Sequence, residues 1–309
     1  MRKNSGSALI TALFIMTLVS IAATAMSTRL QLDIYRTRLT IASDKVYLAS
    51  QAVVFWAFGE LSDSKNKFTF SNKLGKVLDF PSKLQSIYPD VSIQGSLYDL
   101  QARFNLNNIS DQKYQLSFIN FLKNATKLSQ EQRKELAVTL QNWIIPYQPG
   151  QDETLSLQYM KQKPPYYPAH QLMRSVSEFR LLEGVSAKLY RSLFNFITAL
   201  PEVTPINLNT ASAPVLRSLG YGLDESQVER LINARGKKGI QDLRKINLLL
   251  QKMGIRSEQV TIESQYFMSI ANVSSADLNL RVYSIIKRNK DKKGRISVSI
   301  INESVNTFG

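Results

Sequence analysis

Residues 7–26 read Ser-Ala-Leu-Ile-Thr-Ala-Leu-Phe-Ile-Met-Thr-Leu-Val-Ser-Ile-Ala-Ala-Thr-Ala-Met, and this stretch decides the fold. Arg2 and Lys3 precede it, and no charged residue occurs from Asn4 to Thr28. At about 1.5 Å per residue, roughly 20 helical residues cross a hydrocarbon layer about 30 Å thick. The stretch therefore predicts a membrane segment or a signal peptide. The basic residues before it predict that the bulk of the chain lies on the far side of the membrane.

Two kinds of processing are compatible with this start. Ala23-Thr24-Ala25 has the small-x-small spacing of a secretory signal, whereas cleavage between Gly6 and Ser7 leaves the apolar segment attached. Between Ser7 and Phe58 there is neither proline nor glycine, which permits one helix of roughly 50 residues. Its second half carries apolar residues at every seventh position, which we call the α1 stripe: Ile34, Ile41, Leu48 and Phe55. A signal peptide gains nothing from such an extension, so the pattern favours a retained helix that packs on partners.

The leader ending in Gly6, the apolar helix and its continuation with Ala49-Ser50-Gln51-Ala52 resemble type IV pilins and the pseudopilins of type II secretion. In most of those proteins the fifth mature residue is Glu, neutralised in the membrane by the amino terminus of a neighbouring subunit. The fifth residue after Gly6 in this chain is Thr11. An unpaired carboxylate in hydrocarbon is costly, so a subunit without a neighbour ahead of it gains by lacking one. This departure resembles the general secretion pathway protein K family of minor pseudopilins.

Composition limits the remaining choices. The 309 residues include 44% hydrophobic residues, enough for two or three units with real cores. No cysteine is present, which excludes disulfides and thiolate chemistry, and the net charge of +15 favours anionic partners. The densest basic window, 287–295, is typical of a hairpin turn.

Strand patterns occur on both sides of a helical region. Residues 91–106 alternate, with Gly95-Ser96 as an expected turn, and residues 97–108 resemble a segment of the K family in which a pilin strand enters an inserted helical region. Three alternating segments near the end, within 264–273, 278–288 and 296–301, predict antiparallel strands. They return the strands that an interrupted pilin sheet needs.

The region between the strands predicts helices. Residues 111–145 indicate two, the second capped by Ser129, and 146–168 reads as an irregular loop rich in proline and tyrosine that either packs statically or binds a partner. Residues 207–235 resemble a helix-hairpin-helix, with Thr210 as cap of its first helix and either Asp224 or Ser226 at the start of its second.

A helix-hairpin-helix suggests two settings. A membrane-anchored DNA receptor of a competence or DNA-uptake apparatus has a similar Asn-Leu-Asn-Thr-Ala start, and Gly220 and Gly222 permit backbone approach to a phosphate. In the K family the same start belongs to a packing module. Asp224 and Glu225 would repel a phosphate, and the strands after residue 263 have no use in a DNA receptor, so nucleic acid is the less favoured partner.

The K family usually carries a Trp-x-Asp-x-Asp pattern that begins a calcium loop. Here Trp143 is followed by Ile144-Ile145-Pro146-Tyr147, and neither Ile145 nor Tyr147 supplies a carboxylate. Asp152 and Glu153 could at most bind a cation weakly, so no metal or other cofactor is predicted.

No catalytic arrangement is evident. His170 is the one histidine, and the nearby Ser175, Ser177 and Glu178 lack a nucleophile-elbow pattern. The chain is therefore predicted not to be an enzyme.

The combined prediction is an α+β fold, in which a pilin-like N-terminal helix packs on a small antiparallel sheet and a large all-α domain of helix-hairpin-helix or SAM-like pairs is inserted between strands. The expected ranges are leader 1–6, transmembrane segment 7–28, pilin-like part 29–106, insertion 107–262 and C-terminal strands 263–309. The resemblance implies a minor pseudopilin of the bacterial inner membrane with its bulk in the periplasm. It would join two other minor pseudopilins at the pseudopilus tip, initiate and cap it, and meet the prepilin peptidase and the inner-membrane secretion platform.

Overall fold

The first element of the computed structural model is one continuous helix. The structure describes residues 5–147, 153–275, 278–291 and 293–306, with side chains described from Ser7 onward except for 153–155. Helix α1 spans Ser5–Ser62, 58 residues, and is therefore about 87 Å long. This confirms the predicted long helix. Every side chain from Ser7 to Ile41 is exposed, so more than half of α1 projects beyond the rest of the chain.

Two strands follow α1. Strand β1 spans Lys76–Asp79 and strand β2 spans Ser92–Asp99, and they pair antiparallel. The turn expected at Gly95-Ser96 is wrong, because β2 runs through both residues. The glycine serves packing instead: a Cβ at position 95 would lie 2.5 Å from Cγ1 of Val53 on α1.

The chain then forms the helical insertion. Its helices are α2 (Gln115–Ala125), α3 (Gln130–Ile144), α4 (Glu153–Met160), α5 (Ala187–Leu193), α6 (Ala213–Leu216), α7 (Glu225–Arg235) and α8 (Asn247–Lys252). Short parallel pairs join β3 (Phe104–Asn105) to β4 (Ile197–Thr198) and β5 (Ile206–Asn207) to β6 (Val260–Thr261). The prediction of an irregular loop for 146–168 is wrong at Glu153–Met160, where the chain forms α4.

The structure confirms the predicted helix cap at Ser129 and contradicts the one at Thr210. Ser129 forms a capping box with Gln132, and Asp224 forms one with Gln227, as predicted. Thr210 does not cap α6: Ser212 stands at the N-cap, and the Thr210 hydroxyl donates to Asp99 instead.

The chain returns to the sheet in three strands, β7 (Tyr266–Ser275), β8 (Leu278–Lys290) and β9 (Ile296–Val305). The sheet order is β1-β2-β7-β8-β9, antiparallel throughout. Because Asp99 pairs with Phe267, the chain leaves the sheet on β2 and re-enters on the neighbouring strand. The predicted α+β fold, with its C-terminal strands and the basic hairpin between β8 and β9, is confirmed.

The two faces of the sheet pack differently. One face is covered by α1, whose apolar side chains packed against the sheet include Val46, Ala49, Val53, Ala57 and Leu61. On the opposite face, Leu200 of the insertion packs against Tyr266 and Met268 of β7. Arg288 fixes the end of α1, because its Nε donates to the Leu61 carbonyl at 2.7 Å.

The insertion repeats one sequence pattern. Phe104-Asn105-Leu106-Asn107-Asn108 and Ile206-Asn207-Leu208-Asn209-Thr210 each begin with a two-residue strand in a parallel pair. In both, the first asparagine side chain accepts from the backbone N–H of the second.

The second asparagine of each copy clamps distant backbone. Asn107 Nδ2 donates to the carbonyls of Met173 and Leu200, while its Oδ1 accepts from the Met173 N–H. Asn209 makes the same three bonds to the carbonyls of Ile240 and Ile262 and to the Ile240 N–H. The insertion therefore consists of two modules closed by equivalent side-chain bonds.

Replacing Asn209 by Ala tests this closure. The change leaves the Ile240 N–H and two carbonyls without their side-chain partner, so we expect the free energy of unfolding to fall by about 3 kcal/mol in urea titrations. Asn233→Ala, at an exposed position of α7, should change it by less than about 0.5 kcal/mol. Equal stability of the two variants would contradict the clamp.

Candidate assembly surface

The α1 stripe faces away from the sheet. Its members Ile34, Ile41, Leu48 and Phe55 are 44%, 63%, 59% and 73% exposed. At about 100° per residue, Leu48 and Phe55 lie nearly opposite the sheet-facing Val53. The fold therefore leaves a row of large apolar side chains without cover, and their role in packing on partners stays a prediction.

The processing and membrane positions lie at the start of α1. Gly6 and Ser7 are in its first turns, and residues 1–4 lie outside the described residues. The Thr11 hydroxyl donates to the Ser7 carbonyl at 2.9 Å, so it needs no partner in the membrane. The helix is long and apolar enough to cross a membrane. Leader cleavage and the assembly role of Thr11 stay predictions.

A buried carboxylate joins the insertion to the sheet. Asp99 Oδ2 accepts from Asn207 Nδ2 at 3.0 Å, Thr210 Oγ1 at 2.5 Å and Ser264 Oγ at 2.7 Å. Its Oδ1 accepts from the Gln101 N–H at 2.8 Å. Burial raises the pKa of the Asp99 carboxyl, and the four donors oppose that rise. The polar start of the helix-hairpin-helix is thus used to hold two parts of this chain together.

The two glycines of the hairpin lie close to other parts of the chain, although Tyr221 between them is exposed. Gly220 and Gly222 have φ of +57° and +95°, and a Cβ on Gly220 would collide with the Met253 carbonyl. A Cβ on Gly222 would lie 3.0 Å from Asn120 Cγ, and the Gly222 N–H donates to the Leu219 carbonyl. Two features that a phosphate site would need, open glycines and a free N–H at Gly222, are therefore used internally. The DNA-binding alternative is not favoured.

The position of the family's calcium loop holds other contacts. Trp143 is buried against the rings of Tyr159 and Tyr166. The Ile145 carbonyl lies 3.1 Å from His170 Nδ1, and the Tyr147 ring meets the His170 ring edge-on at 5.4 Å. Tyr159 and Tyr166 pack in this way, whereas Tyr147 and Tyr167 are 54% and 70% exposed, so static packing and partner binding both stay predictions for the segment.

These contacts do not suit a calcium ion. Within the part of the chain that the structure describes, no three His, Asp or Glu side chains come together to hold a metal. Asp152 lies outside the described residues, and the side chain of Glu153 is not described. Calcium needs several carboxylate oxygens. Ile145 supplies a backbone carbonyl that is hydrogen-bonded to His170, and Tyr147 supplies an aromatic ring that packs on the same histidine.

The residues considered as partners of His170 act locally. Ser175 and Glu178 form a capping box at the 3-10 helix Val176–Leu181, and the Ser175 hydroxyl lies 2.7 Å from that of Ser177. These local hydrogen bonds account for the polar groups of Ser175, Ser177 and Glu178.

Two family models, each described as type II secretion system (T2SS), protein K, match residues 102–202 and residues 206–264, together just over half of the chain. The chain belongs to the type II secretion system protein K family. The two matched segments correspond closely to the two modules closed by Asn107 and Asn209.

Full-length relatives agree. The type II secretion system protein K of Pseudomonas aeruginosa is 28% identical over 96% of this chain and 92% of its own length. That of Aeromonas hydrophila is 27% identical over 94% and 95%. A solved structure of similar fold is described as the crystal structure of the GspK-GspI-GspJ complex from the type 2 secretion system of enterotoxigenic Escherichia coli. The matched chain has a TM-score of 0.64 and 21% identity, with 91% of this chain and 99% of that chain covered.

Sequence reasoning missed Asp99 as the residue that joins the insertion to the sheet. The sequence offered one signal for Asp99, which is an acidic residue at the end of an alternating segment and directly before Leu100. An acidic residue in such a place is either exposed or held by several donors. The three side-chain donors of Asp99 lie 108 to 165 positions away along the chain, so no local pattern identifies them.

Removal of calcium tests the loss of the family's metal site. If calcium bound with a Kd of about 10 µM, a hundredfold excess would stabilise the fold by about 2.7 kcal/mol. We expect instead that thermal unfolding midpoints in millimolar calcium and in excess chelator coincide, with magnesium as the control for ionic strength. A stabilisation of that size by calcium alone would show that residues such as Asp152 complete a site.

Proposed function

We propose that this chain is a minor pseudopilin at the tip of the type II secretion pseudopilus, where it assembles with two other minor pseudopilins to initiate and cap the fibre. The observation that carries the proposal is the α1 stripe: Leu48 and Phe55 are exposed opposite the sheet, on a helix whose fifth residue after Gly6 carries no carboxylate. The matched solved chain comes from a complex of three subunits, which supports the same number of partners here.

Before assembly the chain is held in the inner membrane by residues 7–28, and its bulk lies in the periplasm. Arg2 and Lys3 favour a cytoplasmic amino terminus, and Arg29 ends the uncharged segment on the other side. The prepilin peptidase cleaves between Gly6 and Ser7. Gly6 leaves this peptide bond accessible to the enzyme, whereas a larger residue at position 6 would hinder access. The inner-membrane platform then receives the mature helix.

The position of the insertion favours capping. Val46 of α1 packs near Val91 and Val273, whereas Leu61 packs near Leu97 and Phe267. The insertion leaves the sheet at Asp99, just beyond Leu97. It therefore lies toward the end of α1 that is distal to the membrane segment, where its bulk blocks addition of a further subunit. No catalytic, cofactor or nucleic-acid role is proposed.

A charge on the α1 stripe should break the assembly. We expect Leu48→Asp, alone or with Ile41→Asp, to abolish co-purification with the other minor pseudopilins, because a buried unpaired carboxylate costs several kcal/mol. Ser43→Asp places the same charge on an exposed part of α1 off the stripe and should retain binding. Full retention by Leu48→Asp would remove the stripe from the interface.

A carboxylate at position 11 tests whether its absence marks the tip position. We expect Thr11→Glu to reduce secretion of a reporter and pseudopilus formation, because a subunit without a neighbour ahead carries the new carboxylate unpaired in hydrocarbon. Thr11→Gln has the same size without the charge and should lose less activity. Secretion by Thr11→Glu at the wild-type level would mean that the missing carboxylate does not mark the tip position.

A further inference from the structure

A second row of apolar side chains runs along α1 on the membrane side of the sheet. Val46 and Val53 pack against the sheet, and the same seven-residue spacing toward the N-terminus reaches Leu39 and Leu32, with Tyr35 between them. Leu32, Tyr35 and Leu39, which we call the lower row, are 51%, 62% and 41% exposed. The side of α1 that the sheet covers therefore continues, uncovered, beyond the end of the sheet.

The lower row and the α1 stripe lie on different sides of the helix. At about 100° per residue, Tyr35 and Leu39 each lie within about 20° of Val46 around the helix axis. Ile34 and Ile41 of the stripe lie roughly 140° from the centre of the lower row. A helix that packs on the stripe therefore cannot also cover the lower row.

Lipid does not reach the whole of the lower row. Arg29 ends the uncharged segment of α1. At 1.5 Å per residue, Tyr35 lies about 9 Å and Leu39 about 15 Å beyond Arg29, whereas the headgroup layer on one side of a bilayer is about 5–8 Å thick. Leu39 is therefore outside the membrane, and the fold of this chain leaves it exposed. Cover for the row has to come from another protein.

The spacing of the row suits a helix as its occupant. Leu32, Tyr35 and Leu39 are separated by three and four residues, which is the spacing of a seam between two packed helices. Every side chain of α1 from Ser7 to Ile41 is exposed, so this part of the chain is a bare helix. A subunit of the same architecture, anchored in the same membrane, would likewise present a bare helix at this height.

Basic residues flank the lower row on both sides. The positions that border a seam of this spacing carry four of them, which are Arg29, Arg36, Arg38 and Lys45. The two acidic residues in this part of α1, Asp33 and Asp44, lie on the side away from the row. The row is thus an apolar seam with positive borders.

This positive charge is not neutralised within the chain. Among the described residues, only Arg36 of these four forms an ion pair, and its Nη1 lies 3.8 Å from Asp33 Oδ1. The two side chains are 76% and 57% exposed, so the pair contributes little. A helix with acidic residues beside its own seam complements these borders. A second copy of this chain does not, because it would bring a second set of the same basic positions to one seam.

We propose that the lower row receives the N-terminal helix of a different pilin-like subunit, whose apolar seam is flanked by Asp or Glu side chains. The inference rests on the proposed function for its source of partners. It adds that the two partner subunits contact different sides of α1, one on the α1 stripe and the other on the lower row. Charge then selects the second partner, since a helix with basic borders is repelled.

Photo-crosslinking tests the proposal without altering the fold. Because the chain has no cysteine, Leu39→Cys can carry a benzophenone probe as the sole thiol, and Leu48→Cys can carry the same probe on the α1 stripe. Thr40→Cys, at an exposed position roughly midway between the two rows, is the control. The full chain is co-expressed with the other minor pseudopilins, and crosslinked peptides are identified by mass spectrometry.

We expect the Leu39 and Leu48 probes to link to the helices of two different subunits, and the Thr40 probe to link to each more weakly. Asp or Glu should occur within about four residues of the position that the Leu39 probe reaches. Links from Leu39 to lipid, to a second copy of this chain or to the helix that Leu48 reaches would overturn the proposal and leave the tip function intact, as would links from Leu48 alone. No link from either probe would count against both.

A matched pair of double variants tests the role of charge. Arg36→Glu with Arg38→Glu reverses the borders of the row, whereas Arg36→Lys with Arg38→Lys keeps their sign. We expect the Glu pair to weaken co-purification of the Leu39-linked subunit at least about tenfold relative to the Lys pair. Because both positions are exposed, the unfolding midpoints of the two isolated chains should agree. Equal retention of that subunit by the two variants would overturn recognition through these charges.

Discussion

The structure depends on the satisfaction of one buried carboxylate. Asp99 ends β2, lies fully buried, and would cost several kcal/mol if its oxygens lacked donors. The donors Asn207, Thr210 and Ser264 come from the second module and from the approach to β7. The Asp99 carboxylate therefore has its full set of donors only when the insertion is folded onto the sheet. Arg103 is buried four residues later: burial lowers its pKa to about 10, its Nε has no hydrogen-bond partner among the described residues, and its guanidinium lies 5.8 Å from the Tyr98 ring centroid.

The parts of the fold that could be predicted are those whose information is local. The helix over Ser5–Ser62 follows from a long stretch without helix breakers, and β7, β8 and β9 follow from alternation with β-branched residues. Gly95 could not be predicted in the same way, because its reason is the nearness of Val53 on another element. Thr210 was assigned to a local cap for the same reason: its true acceptor is 111 positions away. Strand β1 and helix α4 are short, so tertiary packing rather than pattern decides them.

The repeat in the insertion was visible in the sequence but could not be interpreted there. Two asparagines separated by one leucine occur at 105–107 and at 207–209, and only the structure relates them, through the same three bonds from Asn107 and Asn209. A buried asparagine side chain that bonds both the N–H and the C=O of one distant residue takes the place of one backbone pairing between strands. Strands of two residues therefore suffice in these modules. The same use of side chains explains how a motif shared with DNA-binding proteins serves packing in this chain.

The distribution of satisfied and unsatisfied groups separates the interior from the assembly surface. In the helix-hairpin-helix, the glycines and the asparagine and threonine side chains all bond or pack within the chain. In the membrane segment, even the Thr11 hydroxyl is bonded to its own helix. Leu48 and Phe55 of α1 are large exposed apolar side chains, and β9 ends the order of the described sheet. Glu303 on β9 bonds to Tyr47, which neighbours Leu48 on α1, so the stripe and the edge are adjoining parts of one side of the pilin-like domain. In the proposed assembly, a neighbouring subunit that packs on the stripe therefore also meets this side of the sheet.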